Sequence, residues 1–78
     1  MTQVFTINLD TIDKLKAAVT AANMSRYEYE VTQGRWNIPL RSLLGMMSLD
    51  LSKTLTVYIS CPEEVCKIEM ERLREWVV

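Results

Sequence analysis

The sequence predicts an α+β fold, an open-faced α/β sandwich in which a four-stranded antiparallel sheet carries three helices on one face, in the order β-α-β-β-α-β-α. Two patterns predict it. Three short segments, one of them continued by a hairpin's return strand, alternate apolar and polar residues with a period of two, and the two longer helical segments each carry one apolar stripe, so sheet and helices both have one side to bury. Size agrees: 78 residues, 49% hydrophobic and 24% charged, hold a single domain over residues 1–78 with one modest core.

Val4 to Leu9 is the first strand, with Phe5, Ile7 and Leu9 set against Val4, Thr6 and Asn8. Asp10 or Thr11 then offers a side-chain oxygen to the free amides of a helix, and Ile12, Leu15, Ala18, Val19 and Ala22 recur on a narrow stripe to about Asn23. Tyr27, Tyr29 and Val31 alternate with Glu28 and Glu30 up to Gln33-Gly34, where glycine tolerates the positive φ of a tight reversal. The return strand, Arg35 to Ile38, stops at Pro39, which cannot donate to a ladder. Arg41 to Leu49 is apolar nearly all round and too short for an independent helix, so packing must fix it as a brief helical turn.

After a turn at Asp50 to Lys53, Thr54 to Ser60 alternates Leu55, Val57 and Ile59 with Thr56 and Tyr58, the clearest strand of the chain. Cys61-Pro62-Glu63-Glu64 opens the last helix, where the missing proline amide is no loss and two carboxylates face the positive end of the dipole. Its inward stripe is Val65, Cys66, Leu73, Trp76 and Val77, with Met70 at the margin and Ile68 outside. Glu63, Glu64, Glu69, Glu71 and Glu75 interleave with Lys67, Arg72 and Arg74 as a solvated, ion-paired face.

Nine Lys plus Arg against ten Asp plus Glu leave a net charge of −1, with no basic field to draw in nucleic acid or an anionic membrane surface. No apolar run approaches the ~20 residues that span a bilayer, and the opening Met-Thr-Gln-Val-Phe lacks the pattern of a secretion signal, so a cytoplasmic protein is expected. Histidine is absent, which removes imidazole as metal ligand, general base or phosphoryl acceptor. Cys61 and Cys66 are too few for a zinc site; in a reducing cytosol they are expected free, Cys61 with its thiol pKa lowered by the helix start and Cys66 as a small core residue. Trp36 and Trp76 read as core or edge cover. No paired carboxylates, phosphate loop or nucleophile with a base stand out, so neither catalysis nor a metal or cofactor is expected.

The block Ser42-Leu43-Leu44-Gly45-Met46-Met47-Ser48-Leu49, preceded by Arg41 and the Gly34 hairpin and followed by an alternating strand and an amphipathic helix, resembles HPr, the phosphocarrier family of the bacterial sugar phosphotransferase system. The resemblance implies an HPr-like open-faced sandwich. It also implies a site that this chain lacks. The family presents Gly-x-His-Ala-Arg-Pro at the start of its first helix; here the stretch reads Asn8-Leu9-Asp10-Thr11-Ile12-Asp13. The histidine's place falls on Asp10 or Thr11 and the arginine's on Ile12 or Asp13, a degenerate carrier position.

The same resemblance puts Ser42 where the family's kinase-modified serine sits, and puts Leu43, Leu44 and Met47 in its apolar docking patch, with Arg41 and the helix start at Ile12 alongside. The implied partner is a protein: a kinase, a transcriptional regulator or a phosphotransferase-system enzyme. In this the chain is similar to the catabolite-repression paralogue of HPr, which also lacks the histidine, keeps the serine and acts as a regulatory partner. Three alternatives stand beside this reading: Ser42 as a plain N-cap, Asp10 as an acyl-phosphate acceptor, and a structural subunit or homodimer joined along a strand edge.

Overall fold

The computed structural model describes residues 2–78. Its elements are β1 (Thr2–Ile7), α1 (Ile12–Met24), β2 (Tyr29–Gln33), β3 (Trp36–Pro39), α2 (Leu43–Met46), β4 (Leu55–Ser60), α3 (Glu63–Arg72) and a closing 3-10 turn at Arg74–Trp76. The four strands form one sheet in the order β1-β4-β2-β3, and every pairing is antiparallel. Among the described residues no helix is long and apolar enough to cross a membrane.

Register places the alternating residues in rows. Phe5, Val57, Val31 and Ile38 stand side by side across all four strands, flanked by the Ile7–Leu55 pair on one side and Ile59–Tyr29 on the other. This row and its flanks form the sheet's buried face, closed by Leu15, Ala18, Val19 and Ala22 of α1 and by Cys66, Leu73 and Trp76. The opposite face, with Val4 and Tyr58 at its centre, stays open to solvent. Both are the outcome expected when each strand has only one apolar side.

Several boundaries differ from the expectation, each for a local reason. β1 ends at Ile7 because β4 begins at its partner, Leu55; the next amide, Asn8, donates instead to the Trp76 carbonyl at 2.9 Å. β2 starts at Tyr29, because the Tyr27 amide donates to Ser25 Oγ at 3.0 Å and so belongs to the turn after α1. Pro39 lies inside β3, as its last residue, which an edge strand permits. α3 stops at Arg72, where tighter bonds take over, Leu73 to Met70 and Trp76 to Leu73. Val77 therefore leaves the expected inward stripe and bridges Ile7 of β1, while Val78 N–H donates to the Thr6 carbonyl. Ile12 also leaves its stripe, 46% exposed on the first turn of α1.

The cysteines correct the reading of free thiols. Cys61 and Cys66 form a disulfide with Cα atoms 5.7 Å apart, and both are buried, so Cys61 presents no accessible reactive thiol. The bridge closes the first turn of α3 at the place where Pro62, the N-cap, supplies no side-chain hydrogen bond.

Candidate functional site

The segment from Arg41 to Leu49 is held by its backbone before any side chain is considered. Ser42 N–H donates to the Pro39 carbonyl at 3.0 Å, and Met46, Met47, Ser48 and Leu49 each donate to a carbonyl three or four residues back. Ser42 Oγ accepts the Gly45 amide at 3.2 Å, the N-cap bond of α2. Leu40, Met46 and Leu49 turn inward and are buried, which anchors the turn on the core.

Gly45 makes this seat possible. A Cβ there would lie 2.7 Å from Ile38 Cγ2 and 2.9 Å from Ser42 Oγ, both nearer than packed atoms come. Gly45→Ala gains helix propensity of about 1 kcal/mol but must displace both the Ile38 methyl and the capping oxygen of Ser42. We expect a net loss of about 1–2 kcal/mol, read as a lower urea midpoint.

What remains outside is the candidate surface. Leu44 is 84% exposed and Met47 53%, and the two stand three residues apart on the same side of the turn. Leu43, expected in the same patch, is half-buried against the core and contributes less. Arg41 is exposed and ion-paired with Glu28, and its carbonyl lies 3.4 Å from Asn23 Nδ2 of α1. The structure thus gathers Arg41, Ser42, Leu44 and Met47 beside the C-terminal end of α1. Ile12 is not among them: it lies at the other end of α1, about 17 Å along the axis from Asn23 by the ordinary rise per residue.

The degenerate carrier position is occupied by local structure. Thr11 is the N-cap of α1, its Oγ1 accepting the Lys14 amide at 3.2 Å. Asp10 pairs with Lys14 Nζ at 2.8 Å, and that hydrogen bond and charge hold its carboxyl below the usual value.

A second cluster is not among the residues the sequence singled out. Glu69, expected on the solvated face of α3, is only 4% exposed. Ser25 donates its hydroxyl to Glu69 Oε1, the Tyr29 hydroxyl lies 3.1 Å from the same oxygen and 3.0 Å from the Glu69 carbonyl, and Arg72 Nε donates to Oε2 at 3.0 Å. Burial pushes the Glu69 carboxyl up, but the bonds from Ser25, Arg72 and Tyr29 outweigh it and hold the group below its usual value. Burial, and then the neighbouring carboxylate, push the Tyr29 phenol well above its usual value. One signal existed: position 69 falls on the stripe that runs through Cys66, Leu73 and Trp76, the only glutamate of α3 to do so.

No protein-family model and no curated protein sequence matches the chain. A solved structure does: HPr-C-His from Thermoanaerobacter tengcongensis superposes with a TM-score of 0.70 at 18% sequence identity, over 94% of this chain and 88% of that one. The four antiparallel strands and three helices are therefore an HPr-like fold.

Proposed function

We propose that this chain is an HPr-type protein-interaction module that works without histidine phosphotransfer and docks a protein of a bacterial phosphotransferase system through Arg41, Leu44 and Met47, with Ser42 as a phosphorylation switch. The observation that carries the reading is Leu44, 84% exposed on a turn anchored by the backbone hydrogen bonds of Ser42 and of Gly45 to Leu49. A large aliphatic side chain carried into water on an anchored backbone supplies apolar area to a partner at little cost in backbone ordering. Met47 beside it adapts to a partner's contour.

Ser42 suits a switch because its oxygen already accepts an amide at a helix start, where added negative charge is tolerated. The module carries no catalysis and needs no cofactor. Asp10, engaged by Lys14 and without a clamping arginine, stays unphosphorylated in this reading. The proposal includes a cytoplasmic address, in which the Cys61–Cys66 pair would be reduced.

The test is calorimetric titration of the purified chain against the phosphotransferase-system enzyme that loads HPr, the HPr serine kinase and the HPr-binding transcriptional regulator. We expect one of them to bind, and Leu44→Asp to weaken that binding by about tenfold or more with the melting temperature unchanged. Binding by none, or equal binding by the variant, refutes the docking surface. With kinase and ATP, the intact mass should rise by one phosphoryl group in the wild type and not in Ser42→Ala.

A further inference from the structure

The turn between α1 and β2 borders a groove of about 590 Å³ whose lining includes Met24, Arg26, Tyr27 and Arg72 together with the buried Ser25–Glu69 pair. That volume lies within the roughly 300–1,000 Å³ of small-molecule sites.

The charges in the groove are arranged asymmetrically. The lining holds two guanidinium groups and one carboxylate, and the carboxylate is already engaged by neighbours: Glu69 accepts from Ser25, Tyr29 and Arg72. Arg72 uses only Nε in that contact, so its other N–H groups have no protein partner among the described residues. Arg26 is exposed and forms no ion pair among the described residues. A buried chain of hydrogen bonds therefore holds one guanidinium in place at the groove, with the rotamer cost of ordering a long side chain already met. Tyr27 and the exposed Met24 add apolar surface beside the two arginines.

We propose that this groove binds a small organic oxyanion, a carboxylate or phosphate monoester carried on an apolar or aromatic body, with its charged head shared by Arg26 and Arg72. Guanidinium groups recognise both kinds of head by paired N–H donors. The body lies against Tyr27 and Met24. No residue of α2 lines the groove, so the assignment does not depend on the docking turn, although both lie near the C-terminal end of α1.

The experiment is an amide chemical-shift titration of the intact chain with phenyl phosphate, benzoate and benzyl alcohol, repeated on Arg26→Ala. At least one of the two anions should saturate at millimolar concentration, with shifts confined to residues 24–28 and α3, and the stronger of the two identifies the head group. Benzyl alcohol should leave those residues unmoved. Arg26→Ala should keep the wild-type melting temperature, since Arg26 has no ion pair to lose, and should weaken the anion by about tenfold or more. No shift at the groove with either anion, equal binding of benzyl alcohol, or undiminished binding by Arg26→Ala would each overturn the assignment.

Discussion

Glu69→Ala should lower the free energy of unfolding by about 3 kcal/mol, which is much of the ~4–12 kcal/mol that a chain of this length commands at ordinary stability per residue. The loss comes from what the substitution leaves behind. The hydroxyls of Ser25 and Tyr29 lose their acceptor in a buried place, and Arg72 loses its counter-charge. Losses for broken buried pairs run to about 5 kcal/mol; the lower figure applies here because the Arg72 side chain is 35% exposed and can turn to water. Glu69→Gln, which keeps the shape and one acceptor oxygen but sets an amide against Arg72, should lose roughly half as much. Urea titration of the three proteins measures the series, and an unchanged midpoint in Glu69→Ala would show that the cluster contributes nothing.

The same cluster sets a pH dependence with a definite sign. Because the folded chain holds the Glu69 carboxyl below its unfolded value, its stabilising effect is complete at neutral pH, above the unfolded value. It is lost as pH falls, starting near the ordinary glutamate value of about 4.3 and ending below the folded one. The gap between wild type and Glu69→Gln should therefore close on acidification. Tyr29 acts at the other extreme: its phenol is held protonated in the fold, so above pH ~10 the unfolded chain ionises first and stability falls as pH rises.

Reducing the Cys61–Cys66 disulfide should cost about 2 kcal/mol, the loop-closure value for so short a ring. The effect should concentrate at the start of α3, which has no side-chain cap of its own. Urea midpoints with and without a phosphine reductant, alongside hydrogen exchange of the α3 amides, test both statements. Equal midpoints would mean that the bridge constrains nothing that packing does not already hold.

Features that depend on neighbours in the chain were legible in the sequence. The alternation of Leu55, Val57 and Ile59 marks β4, and Thr11 and Ser42 cap the helices that follow them because a cap needs only the next three residues. Gly34 takes a positive φ of 59° because the tight hairpin turn requires it. Glu69 could not be read this way. Its partners Ser25 and Tyr29 lie 44 and 40 residues away, and without them a glutamate beside an arginine three residues on looks like any solvated pair. The α2 turn lies between these cases. Its length and greasiness promise some exposed side chains, but that Leu44 and Met47 emerge while Leu43 turns toward the core depends on how Pro39 and Gly45 seat the turn against β3.

The strand order has a kinetic consequence. β4 stands between β1 and β2, yet it is the last strand in sequence order, so β1 must find it across the 47 residues that separate Ile7 from Leu55. During synthesis the β2–β3 hairpin and α1 can form early, while β1 waits with both of its edges bare until the ribosome has released Ser60. Closure of the sheet then meets the loop entropy that α1 and the hairpin have not already removed, and we expect it to be the slow step, with the nascent chain most vulnerable to mispairing before β4 is in place.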